Sequence, residues 1–211
     1  MPNSLAIMGG TFDPIHIGHL RSALEARELL GCNELRFIPC HRPPHRATPS
    51  VTSLQRLRMI ELAIADEPGF RVDAREIERE GPSYTIDTLA ELRAEMGPRC
   101  ALHLLMGMDA FVVLDTWRRW EELLDFANIV VMQRPDSVFP QSGAVADLLR
   151  ARRVGLNEVK VKTHGAIAVV QLTPLPISAT EIRALISAQR SPRYLLPDAV
   201  WQFIRAQHLY V

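Results

Sequence analysis

The chain has 211 residues, 47% of them hydrophobic and 23% charged, which is enough apolar material to bury a core and excludes a disordered, collagenous or bare coiled-coil chain. Its 24 lysines and arginines balance 24 aspartates and glutamates, so no overall field holds a nucleic acid or an anionic membrane, and a phosphate ligand has to be bound locally. Three cysteines without a C-x-x-C pair, no basic leader before Gly9-Gly10 and no long apolar run predict a reducing, cytoplasmic setting away from membranes.

Short β-branched or aromatic runs alternate with segments of helical period, the pattern of βα units on a mainly parallel sheet. Leu5–Met8 reads as the first strand, broken at Gly9-Gly10 and followed by a helix through Leu20, Leu24, Ala26 and Leu30 that stops at Gly31. Leu35–Ile38 is the next strand, and Pro39–Pro49 is too polar and proline-rich for anything but a loop. Ser53 opens a helix, Phe70–Val72 is a strand, and Ser83 and Thr85 start a helix to Met96. Ala101–Met106 is a buried strand ending at Gly107, followed by a short helical piece and then Trp117–Leu124, where the two tryptophans, three apart on a helix, could both be core; Trp120 is read so, and Trp117, at the start of its element after a loop, as open to a ligand. Asn128–Met132 and Ala166–Leu172 are strands, a helix runs to Arg153, and helices cover Ser178–Ala188 and about Asp198–Gln207. The fold class is α/β, doubly wound, in one domain over residues 1–211, with ligands expected at the carboxyl ends of the strands.

The first βα turn carries Gly9-Gly10-Thr11-Phe12-Asp13-Pro14-Ile15-His16-Ile17-Gly18-His19. Paired glycines before a helix start let backbone N–H groups approach phosphate oxygens, and two imidazoles three apart at a helix N-terminus can both face one anion, with Gly18 keeping the surface between them open. A zinc site fits poorly, since helical zinc ligands need i, i+4 spacing and a further ligand. Near the other end, Pro176-Ile177-Ser178-Ala179-Thr180-Glu181-Ile182-Arg183 combines a capping box, Ser178 with Glu181, with an arginine whose fork suits phosphate.

These two motifs resemble those of the nucleotidyltransferase superfamily, whose H-x-G-H word sits in this turn and whose second motif, Ile-Ser-Ser-Thr-x-Ile-Arg, is matched except at Ala179. The first motif is similar to the version in nicotinate mononucleotide adenylyltransferases, and the likeness continues through Pro43-Pro44-His45, Ser83-Tyr84-Thr85, Gly107-Met108-Asp109, Trp117-Arg-Arg-Trp120 and His208-Leu-Tyr210. Class I aminoacyl-tRNA synthetases share His-Ile-Gly-His, but this chain is too short for their anticodon-binding parts and has only the lysines Lys160 and Lys162.

The resemblance implies a Rossmann-like nucleotidyltransferase fold with helices on both faces, its helical part from about 178 to 211 completing an ATP site. It implies ATP contacts from Gly9, Gly10, Thr11, Phe12, His16, Gly18, His19, Gly107, Asp109, Ile177, Ser178, Thr180 and Arg183, with His19, His16 and Arg183 acting in catalysis. The acceptor, nicotinate mononucleotide, is expected at Thr85, Trp117, Arg118, His45 and Arg46, and Mg²⁺ is expected on the ATP phosphates and water rather than on protein ligands. The competing readings are another phosphomonoester acceptor (nicotinamide mononucleotide or pantetheine phosphate), a nucleotide-binding regulator without turnover, and a metal module built on Cys40, His41 and His45. For Asp109 an N-cap role competes with a ribose contact.

Overall fold

The apolar runs become strands β1 (Ser4–Gly10), β2 (Glu34–Pro39), β3 (Phe70–Val72), β4 (Ala101–Gly107), β5 (Asn128–Gln133) and β6 (Ile167–Gln171) in the computed structural model, which describes residues 3–41, 50–133 and 138–211. They form one sheet in the order β3-β2-β1-β4-β5-β6, every pair parallel. Parallel neighbours need crossover connections, and these carry helices α1 (Ile17–Leu30), α2 (Ser53–Ile64), α3 (Arg75–Glu78), α4 (Thr85–Met96), α5 (Met108–Phe111), α6 (Leu123–Phe126), α7 (Ala144–Arg152) and α8 (Leu156–Val159), with α9 (Ala179–Ser187) and α10 (Asp198–Ala206) following β6.

Helices on both faces explain why the strands read as continuous apolar runs. The two-residue period of β1 sends Ala6 and Met8 into a core with Ala23, Ala26, Met59, Ile60, Ile182 and Ile204. Leu5 and Ile7 enter the opposite core with Leu89, Leu92, Phe111 and Leu123. The chain winds outward from β1 to β3 and then returns to place β4 on the other side of β1, so the winding reverses between these two strands. The crevice beyond their carboxyl ends is the place where such sheets bind ligands.

A buried histidine and a half-buried arginine stiffen the sheet. His103 on β4 is fully buried, faces the Asn128 amide across the ladder at 3.5 Å, and is kept neutral by burial, which pushes its pKa down to about 4. Arg93 closes the edge away from the crevice, its guanidinium donating to the carbonyls of Gly97, Cys100, Phe126 and Thr163.

The structure departs from the periodicity at single turns. The one-turn helices α3 and α8 carry too few residues to produce a helical pattern. The continuous helix expected around the tryptophans is broken. Trp117 is extended (φ −81°, ψ 144°) after a 3₁₀ turn at Leu114–Thr116, and Arg119 is left-handed (φ 50°) before a second 3₁₀ turn at Trp120–Glu122. The two indoles therefore share no helix face, although both are half-buried against the core on the α4 side of the sheet.

Candidate active site

Strand β1 delivers Gly9 and Gly10 to the crevice, and the two glycines serve different ends. A Cβ on Gly9 would meet nothing within 4 Å, so its backbone lies open, whereas a Cβ on Gly10 would come 3.0 Å from Phe12 Cζ. Gly10 thus seats the Phe12 ring, a packing reason for the glycine in addition to the backbone approach read from the sequence. Phe12 is buried at 3% exposure, edge-on to His19 and Phe37 with centroids at 5.1 and 5.8 Å, so only its backbone can face a ligand. Its left-handed φ of 50° turns the chain sharply toward the start of α1.

At that start the two histidines cap each other. His16 is the N-cap residue, its Nδ1 accepts from the His19 N–H at 3.4 Å, and His19 Nδ1 accepts from the His16 N–H at 3.3 Å. This is a capping box made of imidazoles, with the rings stacked at 3.6 Å and 25° between planes. Because each Nδ1 accepts, the hydrogen-bond pattern assigns the proton of each neutral ring to Nε2. Gly18 is explained by the same packing: a Cβ there would sit 3.0 Å from His16 Nδ1, so the glycine makes room for the ring and does not simply keep the surface open.

The second motif lies beside the first. A Cβ on Gly18 would also come 3.6 Å from Ile177 Cβ, so the starts of α1 and α9 lie together across the crevice. Ser178 caps α9 by accepting from the Glu181 N–H at 3.1 Å, one half of the expected capping box. One turn in, Arg183 Nη1 donates to the Asp13 carbonyl at 2.6 Å, and Nη2 lies 3.4 Å from the Thr180 hydroxyl. Elements separated by most of the chain thus converge on one concave edge, each presenting N–H groups or a cation.

On the β4 side, the N-cap of α5 is Gly107, without a side-chain cap bond, and Asp109 is exposed in the first turn. Its carboxylate folds back over Gly107, where a Cβ would collide with Asp109 Oδ1 at 2.4 Å, so Asp109 is not the N-cap. Thr85 begins α4 after the N-cap Tyr84, which provides no side-chain cap bond, leaving first-turn N–H groups of that helix uncapped. The exposed Arg118 lays its guanidinium 4.6 Å from the Tyr84 ring, tying the Trp117 segment to the start of α4. The contact sets the stretch that carries Trp117 and Arg118 against Tyr84, the residue before Thr85. His45 and Arg46, with Pro43 and Pro44, lie outside the described residues.

Of the residues of the rival metal module, Cys40 Sγ points at Thr11 Oγ1 (3.7 Å), His41 meets Ser83 through its N–H (2.9 Å) and Ser53 through Nδ1 (3.1 Å), and His45 lies outside the described residues. Among the described residues no group of three or more His, Cys, Asp or Glu side chains could hold a metal.

The sequence reading missed Arg56 and Asp13. Arg56 is 1% exposed on the core face of α2, with Nη1 on the Thr11 carbonyl (2.6 Å) and Nη2 on the carbonyls of Cys40 (2.7 Å) and His41 (3.4 Å). It thereby joins the ends of β1 and β2, and no carboxylate among the described residues pairs with it. Its signal was present: Arg56, Met59, Ile60 and Ile64 follow the spacing of a buried helix face, and an arginine in such a row has a reason to be there. Asp13, 8% exposed, gathers partners from three distant parts of the chain and left no pattern in the sequence.

The profile of the cytidylyltransferase-like family matches residues 7–185. A Pseudomonas aeruginosa protein named "Probable nicotinate-nucleotide adenylyltransferase" is 50% identical over 210 residues, covering 100% of this chain and 98% of its own. A Cellvibrio japonicus protein of the same name is 47% identical over 212 residues, with 100% of both chains covered. In three dimensions the chain is similar to the Plasmodium falciparum nicotinic acid mononucleotide adenylyltransferase complexed with NaAD, at a TM-score of 0.73 and 16% identity over 99% of this chain and 97% of that one, a likeness of fold. With a β1–β4 crevice, paired histidines at a helix start and full-length relatives at this identity, the chain belongs to the cytidylyltransferase-like family and, within it, to the nicotinate-nucleotide adenylyltransferases.

Proposed function

We propose that the protein transfers the adenylyl group of ATP to nicotinate mononucleotide, giving nicotinate adenine dinucleotide and pyrophosphate, a step of NAD biosynthesis. The observation that carries this reading is the meeting of two helix starts and one arginine at a single edge of the sheet: α1 with His16 and His19, and α9 with Arg183, joined at Gly18–Ile177 and Arg183–Asp13.

The acceptor phosphate is already ionised at neutral pH, with a second pKa near ~6, so no general base is needed to generate the nucleophile. The chemistry then requires two anions held in line and a cradle for the charge that moves to pyrophosphate. The Nε2–H groups of His16 and His19, the backbone N–H groups after Gly9 and at Gly18, Ser178 with Thr180, and the Arg183 fork are donors of that kind. We assign Asp109, exposed at the β4 end, to the ribose hydroxyls, and Thr85, Trp117 and Arg118 to the nicotinate ring and its carboxylate; the Arg118–Tyr84 contact beside the start of α4 supports the second assignment, and the indole offers a face for the ring.

A donor set of amides, imidazoles and a guanidinium suits a divalent cation that arrives chelated by ATP. Mg²⁺ held by the phosphates and water fits, and when bound it neutralises phosphate charge. No helix of the described residues is long and apolar enough to cross a membrane, and the three cysteines are free, in line with our placement of the enzyme in the cytoplasm.

The test uses ATP labelled in its α-phosphate. With nicotinate mononucleotide and Mg²⁺, the label is expected in the dinucleotide while unlabelled pyrophosphate accumulates. Label recovered only in AMP, or retained by the protein, contradicts direct transfer.

A further inference from the structure

Asp13 lies beneath the crevice with both carboxylate oxygens occupied. Tyr210, beyond α10, donates its hydroxyl to Oδ1 at 2.6 Å, and Ser50 approaches Oδ2 through its N–H (3.4 Å) and hydroxyl (3.5 Å). Arg183 Nη1 is bonded to the Asp13 carbonyl at 2.6 Å yet stays 3.9 Å from Oδ2, close enough for attraction but outside a bidentate pair. The segment that brings Tyr210 there passes through left-handed backbone at His208 (φ 50°) and Tyr210 (φ 65°), conformations that non-glycine residues adopt only when the surroundings hold them. The phenol is kept protonated, since burial and the Asp13 carboxylate both raise its pKa.

We infer that Tyr210 is a positioning residue which occupies the Asp13 carboxylate and so keeps Arg183 available to the ATP phosphates. This rests on the assignment of Arg183 to those phosphates made above.

A buried carboxylate that loses a hydrogen-bond donor seeks another, and the nearest cation is Arg183. A fork that serves phosphate serves carboxylate equally well, so the freed Asp13 competes with ATP for the guanidinium. The backbone bond from Arg183 to the Asp13 carbonyl does not depend on the carboxylate, so a neutral side chain at position 13 keeps the arginine in place and removes its competitor.

The experiment measures the Kd of Mg-ATP by calorimetry for wild type, Y210F, D13N and D13N/Y210F, with thermal melts of each. Y210F is expected to bind ATP about tenfold more weakly, the size of one charge-assisted hydrogen bond. In the D13N background the same change is expected to cost nothing, because the competitor is gone. A Y210F protein that melts earlier but binds ATP as wild type does would reduce Tyr210 to a structural tie and overturn the inference. An equal loss in both backgrounds would overturn it too. These outcomes are separate from the functional reading, which fails if the wild type itself makes no dinucleotide.

Discussion

His19→Ala is expected to lower kcat by at least ~100-fold while leaving ATP affinity nearly unchanged, because a donor aimed at developing charge acts mainly in the transition state. The substitution also removes the acceptor for the His16 N–H, and losing half of an N-terminal cap costs about 1 kcal/mol of stability. The two losses separate with His19→Asn, whose side-chain oxygen can stand where Nδ1 stood and accept the His16 N–H, but which offers no donor where Nε2 stood. The Asn variant should therefore melt like wild type and turn over like the Ala variant. Steady-state kinetics and melting curves of both proteins check this. An Asn variant with near-wild-type kcat would remove the Nε2–H from the mechanism and leave His19 as a cap alone.

Arg56→Lys should be the most damaging substitution outside the groups assigned to substrate. The guanidinium reaches the Thr11 carbonyl with one nitrogen and the Cys40 and His41 carbonyls with the other, so one side chain fixes the phosphate turn relative to the chain leaving β2. It also holds the Thr11–Phe12 peptide with its oxygen inward. In a trans peptide that turns the Phe12 N–H the other way, and this N–H meets no acceptor among the described residues. An ammonium is a point donor without the fork and cannot bridge both strand ends, and carbonyls left unpaired in the interior cost ~1–3 kcal/mol each. A shift of about 1 Å in one turn is sufficient for a ~100-fold loss of kcat/KM. The measurement is kcat/KM far below the melting temperature, so that the loss is read on folded protein. A folded Arg56→Lys enzyme with wild-type kcat/KM would show that the bridge serves stability only.

Much of the architecture was legible because local and global preferences agree. Phe70–Val72 is a strand in both readings, Gly31 ends α1 in left-handed conformation (φ 69°), and the helix foreseen to start at Ser83 and Thr85 and run to Met96 is α4, which begins at Thr85. What failed were features created by tertiary contacts. Gly10 and Gly18 read as making room for an anion, and the sequence did not show that each also makes room for a ring, Gly10 for Phe12 and Gly18 for His16, contacts visible only once the chain is folded. The tryptophan helix was foreseen from an i, i+3 spacing that a left-handed Arg119 breaks, and nothing in the identity of arginine announces a positive φ. The histidines were found by motif, but their mutual cap was not, since capping boxes are sought among Ser, Thr, Asp and Glu. The bond from Tyr210 to Asp13 spans nearly the whole chain and has no periodicity to reveal it.

The choice of acceptor is read from kcat/KM of the wild-type protein for nicotinate mononucleotide and nicotinamide mononucleotide, which differ only in a carboxylate or carboxamide on the ring. The uncapped N–H groups at the start of α4 and the Arg118 guanidinium over Tyr84 are donors, which a carboxylate accepts from with both oxygens. The amide NH₂ meets them donor to donor, and donors left unpaired cost ~1–3 kcal/mol each, so two of them support a preference on the order of hundredfold. Trp117 contributes an apolar face that treats both rings alike and adds nothing to the ratio. Nicotinate mononucleotide is expected to be the better acceptor by about that factor. Equal use of the two acceptors, or a preference for the amide, would contradict this.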